Sequence, residues 1–158
     1  MWRKFREDKE EDAIKAFNND CATCESFNPD AYIKEPEEKE ACKKILLENF
    51  DIVKIAYMEM LAKSFKTYPE ISAEVFIGTM MKERSDADKK MLPAAKFEVA
   101  FILTTKTDSG KGLNGTLCRG ELFDVILRMG QQLYLENKDK GMEENLKDFI
   151  MKYLYPIQ

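Results

Sequence analysis

At 158 residues, with 44% apolar and 34% charged side chains, the chain has the size of one domain with room for a substantial core. Its 29 acidic residues outnumber 25 basic ones, the two signs are interleaved, and the net charge of −4 argues against a nucleic-acid partner. Histidine is absent, which removes the commonest general base, the Ser-His and Cys-His nucleophile pairs and mixed Cys/His zinc sites.

No apolar run approaches the length that spans a bilayer, so no membrane insertion is expected. The start, Met1-Trp-Arg-Lys-Phe-Arg-Glu-Asp8, lacks the apolar core of a secretory leader and turns acidic quickly. A cytoplasmic setting with reduced thiols is the expectation.

In chain order, the segment up to Phe17 reads as a charged amphipathic helix burying Phe5, Ala13, Ile14 and Phe17. Trp2 and Phe5 are candidate interaction anchors, docking on a partner or on this protein's own core. Cys21 and Cys24 form a CxxC pair that Cys42 and Cys118 could complete to four thiolates. The latter two are isolated, however, and structural zinc sites bring a second close-spaced pair, so the cysteines read as small buried residues. A redox CxxC would need a βαβ pattern around it, which is not present.

Asn28-Pro29-Asp30 carries turn chemistry within a loop that runs to Pro36. Residues 1–36 are therefore read as an N-terminal helix and loop extension, and 37–158 as the main helical domain. Glu37 to Lys63 has the strongest helical periodicity, with Ile45, Leu46, Phe50, Val53, Tyr57, Met60 and Leu61 on a wide apolar face that suits the domain centre. Met58, Met60, Met80, Met81 and Met129 fall at helical spacing and read as core filler.

Two stretches fit the twelve-residue frame of an EF-hand calcium loop. In Ser64–Val75, Ile71 takes the eighth position and Ser72, a good helix N-cap, the ninth. Lys66 at the third position, Pro69 at the sixth and Val75 at the twelfth spoil calcium binding there. In Gly110–Glu121, Asn114 is fifth, Gly115 sixth where the turn needs φ > 0, Leu117 eighth and Glu121 twelfth. Gly110 and Gly112 stand where calcium wants side-chain oxygens, so the loop scaffold is kept and the ligand set is not.

Ile71 and Leu117 lie about 46 residues apart at matching positions, which predicts that the two loops pair through a short antiparallel bridge. Between them the sequence predicts an exit helix over 75–82, a polar linker over 85–90 and an entering helix over 93–103. Thr104 to Ser109 then lengthens the second loop. After it come an exit helix over 119–136, a break at Asn137–Gly141 and a last helix over 143–154. That last helix buries Leu146, Phe149, Ile150 and Tyr153. The fold class is all-α, a pair of EF-hand-like helix-loop-helix units with flanking terminal helices.

The string Leu117-Cys-Arg-Gly-Glu-Leu-Phe-Asp-Val-Ile-Leu-Arg128 resembles a signature of divergent EF-hand-like domains of ciliated and flagellated eukaryotes. Tyr68–Ser72, Phe101–Thr105 and Tyr153–Pro156 match the same family in order, covering most of the chain. The chain departs from it at Cys21, where the family often has Trp before its first Cys, at Gly120 in place of a bulky residue, and at Met129-Gly130. The resemblance implies a calcium-independent interaction module of a cytoskeletal assembly, ciliary or flagellar (axonemal) in setting.

The expected function is thus a non-catalytic structural or adaptor protein with protein partners and no cofactor. Its candidate contacts are Trp2, Phe5, Tyr153 and Tyr155. The alternative is a calcium sensor or buffer using the extended loop 105–121, with Asp108, Ser109, Asn114 and Glu121 as ligands. An enzyme is not expected, because no phosphate-cradling glycine loop and no spaced carboxylate pair in an apolar setting is present.

Overall fold

The computed structural model describes residues 13–22, 33–63, 70–108 and 115–157. Over these the chain is mostly helical, with one two-stranded antiparallel bridge. Trp2, Phe5 and Cys24 lie outside the described residues.

Helix α1 spans 13–22 and buries Phe17, whose ring meets Phe123 edge-on at 5.0 Å. Ala13 and Ala16 pack beside it, whereas Ile14 is 43% exposed and does not join the core the sequence predicts for it. Ile14 sits about a quarter-turn round the helix from the stripe of Ala13 and Phe17. Asp20, one turn on from Ala16 and Phe17, accepts two hydrogen bonds from the Arg119 guanidinium, at 2.6 and 3.3 Å.

The sequence predicts one helix over 37–63, but there are two, α2 (Pro36–Glu48) and α3 (Phe50–Ala62). Asn49 divides them with ψ of 20°, and its side-chain amide donates to Ile45 O at 2.8 Å. An asparagine that bonds the carbonyl four residues back competes with the helical ladder and bends it. Proline in the first turn of α2, with Glu37 and Glu38, starts that helix as its dipole favours.

Strand β1 (Ile71–Ser72) leads into α4 (Ala73–Met81), where the Ser72 hydroxyl accepts from Val75 N–H at 3.3 Å. The predicted polar linker at 85–90 is instead a short helix, α5 (Asp86–Met91). Ser85 caps it by accepting from Asp88 N–H, with acids in the first turn and lysines in the last. Between α4 and α5, Glu83 takes a left-handed φ of 56° to reverse the chain.

Helix α6 (Ala94–Asp108) runs five residues past its predicted end at 103, through residues read from sequence as loop. Thr104 and Thr105 extend it because both hydroxyls find partners in the interior. Thr104 donates to Asp124 at 2.7 Å and Thr105 to Phe101 O at 2.9 Å. Strand β2 (Thr116–Leu117) then enters α7 (Arg119–Glu136). Helix α8 (Met142–Phe149) continues into a wider π-type turn, Ile150–Leu154, and a tight turn, Tyr155–Ile157.

The centre of the molecule is α7 rather than the 37–63 segment. Gly120 to Leu127, Met129 and Gly130 are all buried, so every side of its first turns meets protein. Phe123 joins Phe17 to Phe50 by ring contacts. A second aromatic chain runs from Phe76 through Phe97 to Tyr153 and Phe149, with centroid steps of 6.1, 5.6 and 4.8 Å. Met60, Met80 and Met129 fill this core, but Met58 is 58% exposed, since it points away from the α3 stripe of Val53, Tyr57 and Met60.

No described helix is long and apolar enough to cross a membrane.

Gly130 lets α8 lie against α7. A Cβ there would stand 2.9 Å from Leu146 Cδ1 and 3.1 Å from its backbone Cα. Gly130→Ala is expected to cost ~1–3 kcal/mol in urea unfolding, because backbone must move to relieve the overlap. Gly78→Ala is the control: nothing lies within 4 Å of that Cβ. Removing a helix-interior glycine there should stabilise the protein by ~0.5–1 kcal/mol.

Candidate functional site

The residues that carried most of the sequence argument converge at the two strands. Ile71 pairs with Leu117 and Ser72 with Thr116 in antiparallel register. Both apolar side chains are fully buried. Each strand is only two residues long because a helix begins directly after it, capped by Ser72 in one case and closed by Cys118 and Glu121 in the other.

Polar groups from three elements ring the bridge. The Tyr57 hydroxyl, on α3, donates to Leu117 O at 3.4 Å. Thr116 Oγ1 donates to Glu70 at 2.9 Å, tying the strands side chain to side chain. Glu121, 5% exposed, accepts from Cys118 N–H at 3.0 Å. This carboxylate occupies the twelfth loop position, yet it folds back onto the start of its own helix as a capping box does.

A carboxylate oxygen of Glu70, the Cys118 thiol and a carboxylate oxygen of Glu121 all lie within 4.8 Å of one another. That trio offers one soft and two hard donors, a poor match to calcium, which takes six to eight oxygens. Burial pushes the Cys118 thiol up to about 12, so it is protonated at neutral pH. The same burial, with Cys118 and Glu70 adding to it, raises the Tyr57 hydroxyl above its ordinary range. Both carboxylates are already engaged by donors of the loop itself. The trio therefore fastens the bridge and the start of α7.

The remaining sequence candidates separate. At the twelfth position of the first loop, Val75 is half-buried in α4 and brings no oxygen. Asn114, Ser109, Gly110, Gly112, Lys66, Pro69 and the side chain of Asp108 lie outside the described residues. Cys21, Cys42 and Cys118 do not converge into a ligand group among the described residues. Burial pushes the Cys21 and Cys42 thiols, like that of Cys118, up to about 12.

Tyr155 is 53% exposed, as a contact residue must be, whereas Tyr153 is only 3% exposed. Its ring stacks on Phe149, and the Arg84 guanidinium sits 4.0 Å over its face. Tyr153 is thus a core residue and not a surface contact. Phe149, Ile150, Tyr153 and Leu154 together cover the apolar faces of α3 and α6. Arg84 also donates to Lys152 O at 3.2 Å, and Lys152 pairs with Asp88, so polar contacts hold the segment at its edge.

Sequence reading passed over two buried polar residues, Asp124 and Asn145, and one long-range ion pair, Asp20–Arg119. Asp124 is fully buried, bonded to Thr104 and to the Arg128 guanidinium at 2.8 Å. The i,i+4 spacing of Asp124 and Arg128 was its only sequence signal. Asn145, also fully buried, donates to the carbonyls of Asn137, Lys140 and Gly141 and closes the turn before α8. The Asp20–Arg119 pair joins residues 99 positions apart and leaves no local trace.

A cleft of about 510 Å³ lies between α5, α7 and the chain's last turns. Its charges cancel: Lys140 pairs with Asp148 at 2.9 Å and Lys152 with Asp88. Lys152 holds the Asp88 carboxyl below its usual range, which suits a fixed ion pair better than proton transfer.

Comparison with known protein families, with curated proteins and with solved structures finds no match to this chain.

The buried thiols give a pH prediction. In a Cys24→Ser background, Cys21, Cys42 and Cys118 should react with Ellman's reagent at pH 8 at least ~10-fold more slowly folded than in urea. Unfolded thiols ionise near 9.0 and these folded ones near 12, so deprotonation above 9 favours the unfolded chain. Their contribution to stability should be complete below pH 9 and fade as pH climbs toward 12. Equal reaction rates in the two states would contradict this.

Proposed function

We propose that this protein is a degenerate EF-hand pair used as a calcium-independent, non-catalytic docking module within a cytoskeletal assembly. The ciliary or axonemal setting comes from the sequence resemblance alone. The observation that carries the reading is Glu121. It holds the twelfth position of a loop that pairs with its twin through Ile71 and Leu117, yet its carboxylate is spent on Cys118 N–H.

The filled apolar surface supports the same reading. A calcium sensor works by opening a closed helix pair to expose a groove. Here that surface is covered by Phe149, Ile150, Tyr153 and Leu154, each at most 3% exposed. Burying a large apolar side chain is worth roughly 1.5–3 kcal/mol, so exposing four costs on the order of 6–12 kcal/mol, an upper estimate. An ion at a hundred times its Kd returns only about 2.7 kcal/mol per site. The closed arrangement wins, and partner binding has to proceed without opening.

The second reading is a calcium buffer or sensor built on Asp108, Asn114 and Glu121. One observation favours it: the carboxylates of Glu70 and Glu121 already lie within 4.8 Å of each other. Calorimetric titration and thermal melts in 1 mM calcium against chelator separate the two. The docking reading expects no binding heat and no shift in Tm. A calcium-dependent rise of several degrees would reject it, since ~1 kcal/mol moves Tm by about 2–4 °C at this size.

A further inference from the structure

We draw no further inference here: the strongest candidate, the groove between α6 and α7 with the exposed Val99 and Leu103 on one wall, carries nothing, because its cations Lys96 and Arg128 already pair with Glu136 and Asp124 and nothing in the structure shows what covers the apolar face.

Discussion

Ile71 against Leu117 is the contact on which the rest of the arrangement depends. Two residues of antiparallel pairing are too short to be stable alone, since even a full hairpin is marginal in water. The bridge persists because both side chains are fully buried and because Tyr57, Thr116 and Glu70 bond across it. Since a helix starts directly after each strand, the bridge also sets where α4 and α7 begin relative to each other. The faces of α4 and α6 then meet through Phe76, Phe97 and Phe101, and the chain's last helical turns close over them.

The interior around that bridge is more polar than an all-helical core requires, and each polar group has a job of position. A buried carboxylate is costly unless it is paired and hydrogen-bonded. Asp124 meets both conditions through Arg128 and Thr104, and in doing so it extends α6 into what would otherwise be loop. Glu121 meets the second through Cys118 N–H at the start of its own helix. A side chain committed to a backbone N–H in a low-dielectric site gains little by turning outward to an ion. On the docking reading, the loop thereby trades a ligand for a cap. That exchange links the local hydrogen bonding to the functional proposal more directly than any change in overall shape.

How far the sequence spoke depends on whether the deciding interaction was local. Helix α7 was legible to the residue, because an apolar run behind a loop glycine is a local signal. The Ile71–Leu117 pairing was legible because a repeated frame places equivalent residues in equivalent positions. The break at Asn49, the helix at 86–91 and the extension of α6 were not. Each turns on a side-chain hydrogen bond, made by Asn49, Ser85 and Thr104, that periodicity does not register. Tyr153 carried two readings, a buried position on the last helix and a surface contact, and only the first holds. A tyrosine near the end of a chain looks like a surface anchor until its neighbours, Phe97, Phe149 and Arg84, are brought to it by the fold. The face of its own helix marked it as buried, but Phe97 of α6 and Arg84 of the turn after α4 lie beyond any local pattern.

On the docking reading, a fold that covers its own apolar surface has to meet partners somewhere else. With Phe149, Ile150, Tyr153 and Leu154 seated inside, the apolar faces of α3 and α6 are spent on stability. Outward apolar side chains then become informative, because the core has no further use for them. Val99 and Leu103 stand out on α6 while Phe97, Ala100 and Phe101 of the same helix are buried, so this one helix serves two surfaces. Its inward face holds the closed arrangement in place. The outward face is thereby presented in a fixed geometry, with Arg128 held beside it by the buried Asp124. Preorganisation of this kind lowers the entropic cost of association. On the docking reading, the loss of a calcium switch and the closed arrangement of the core are two consequences of the same packing.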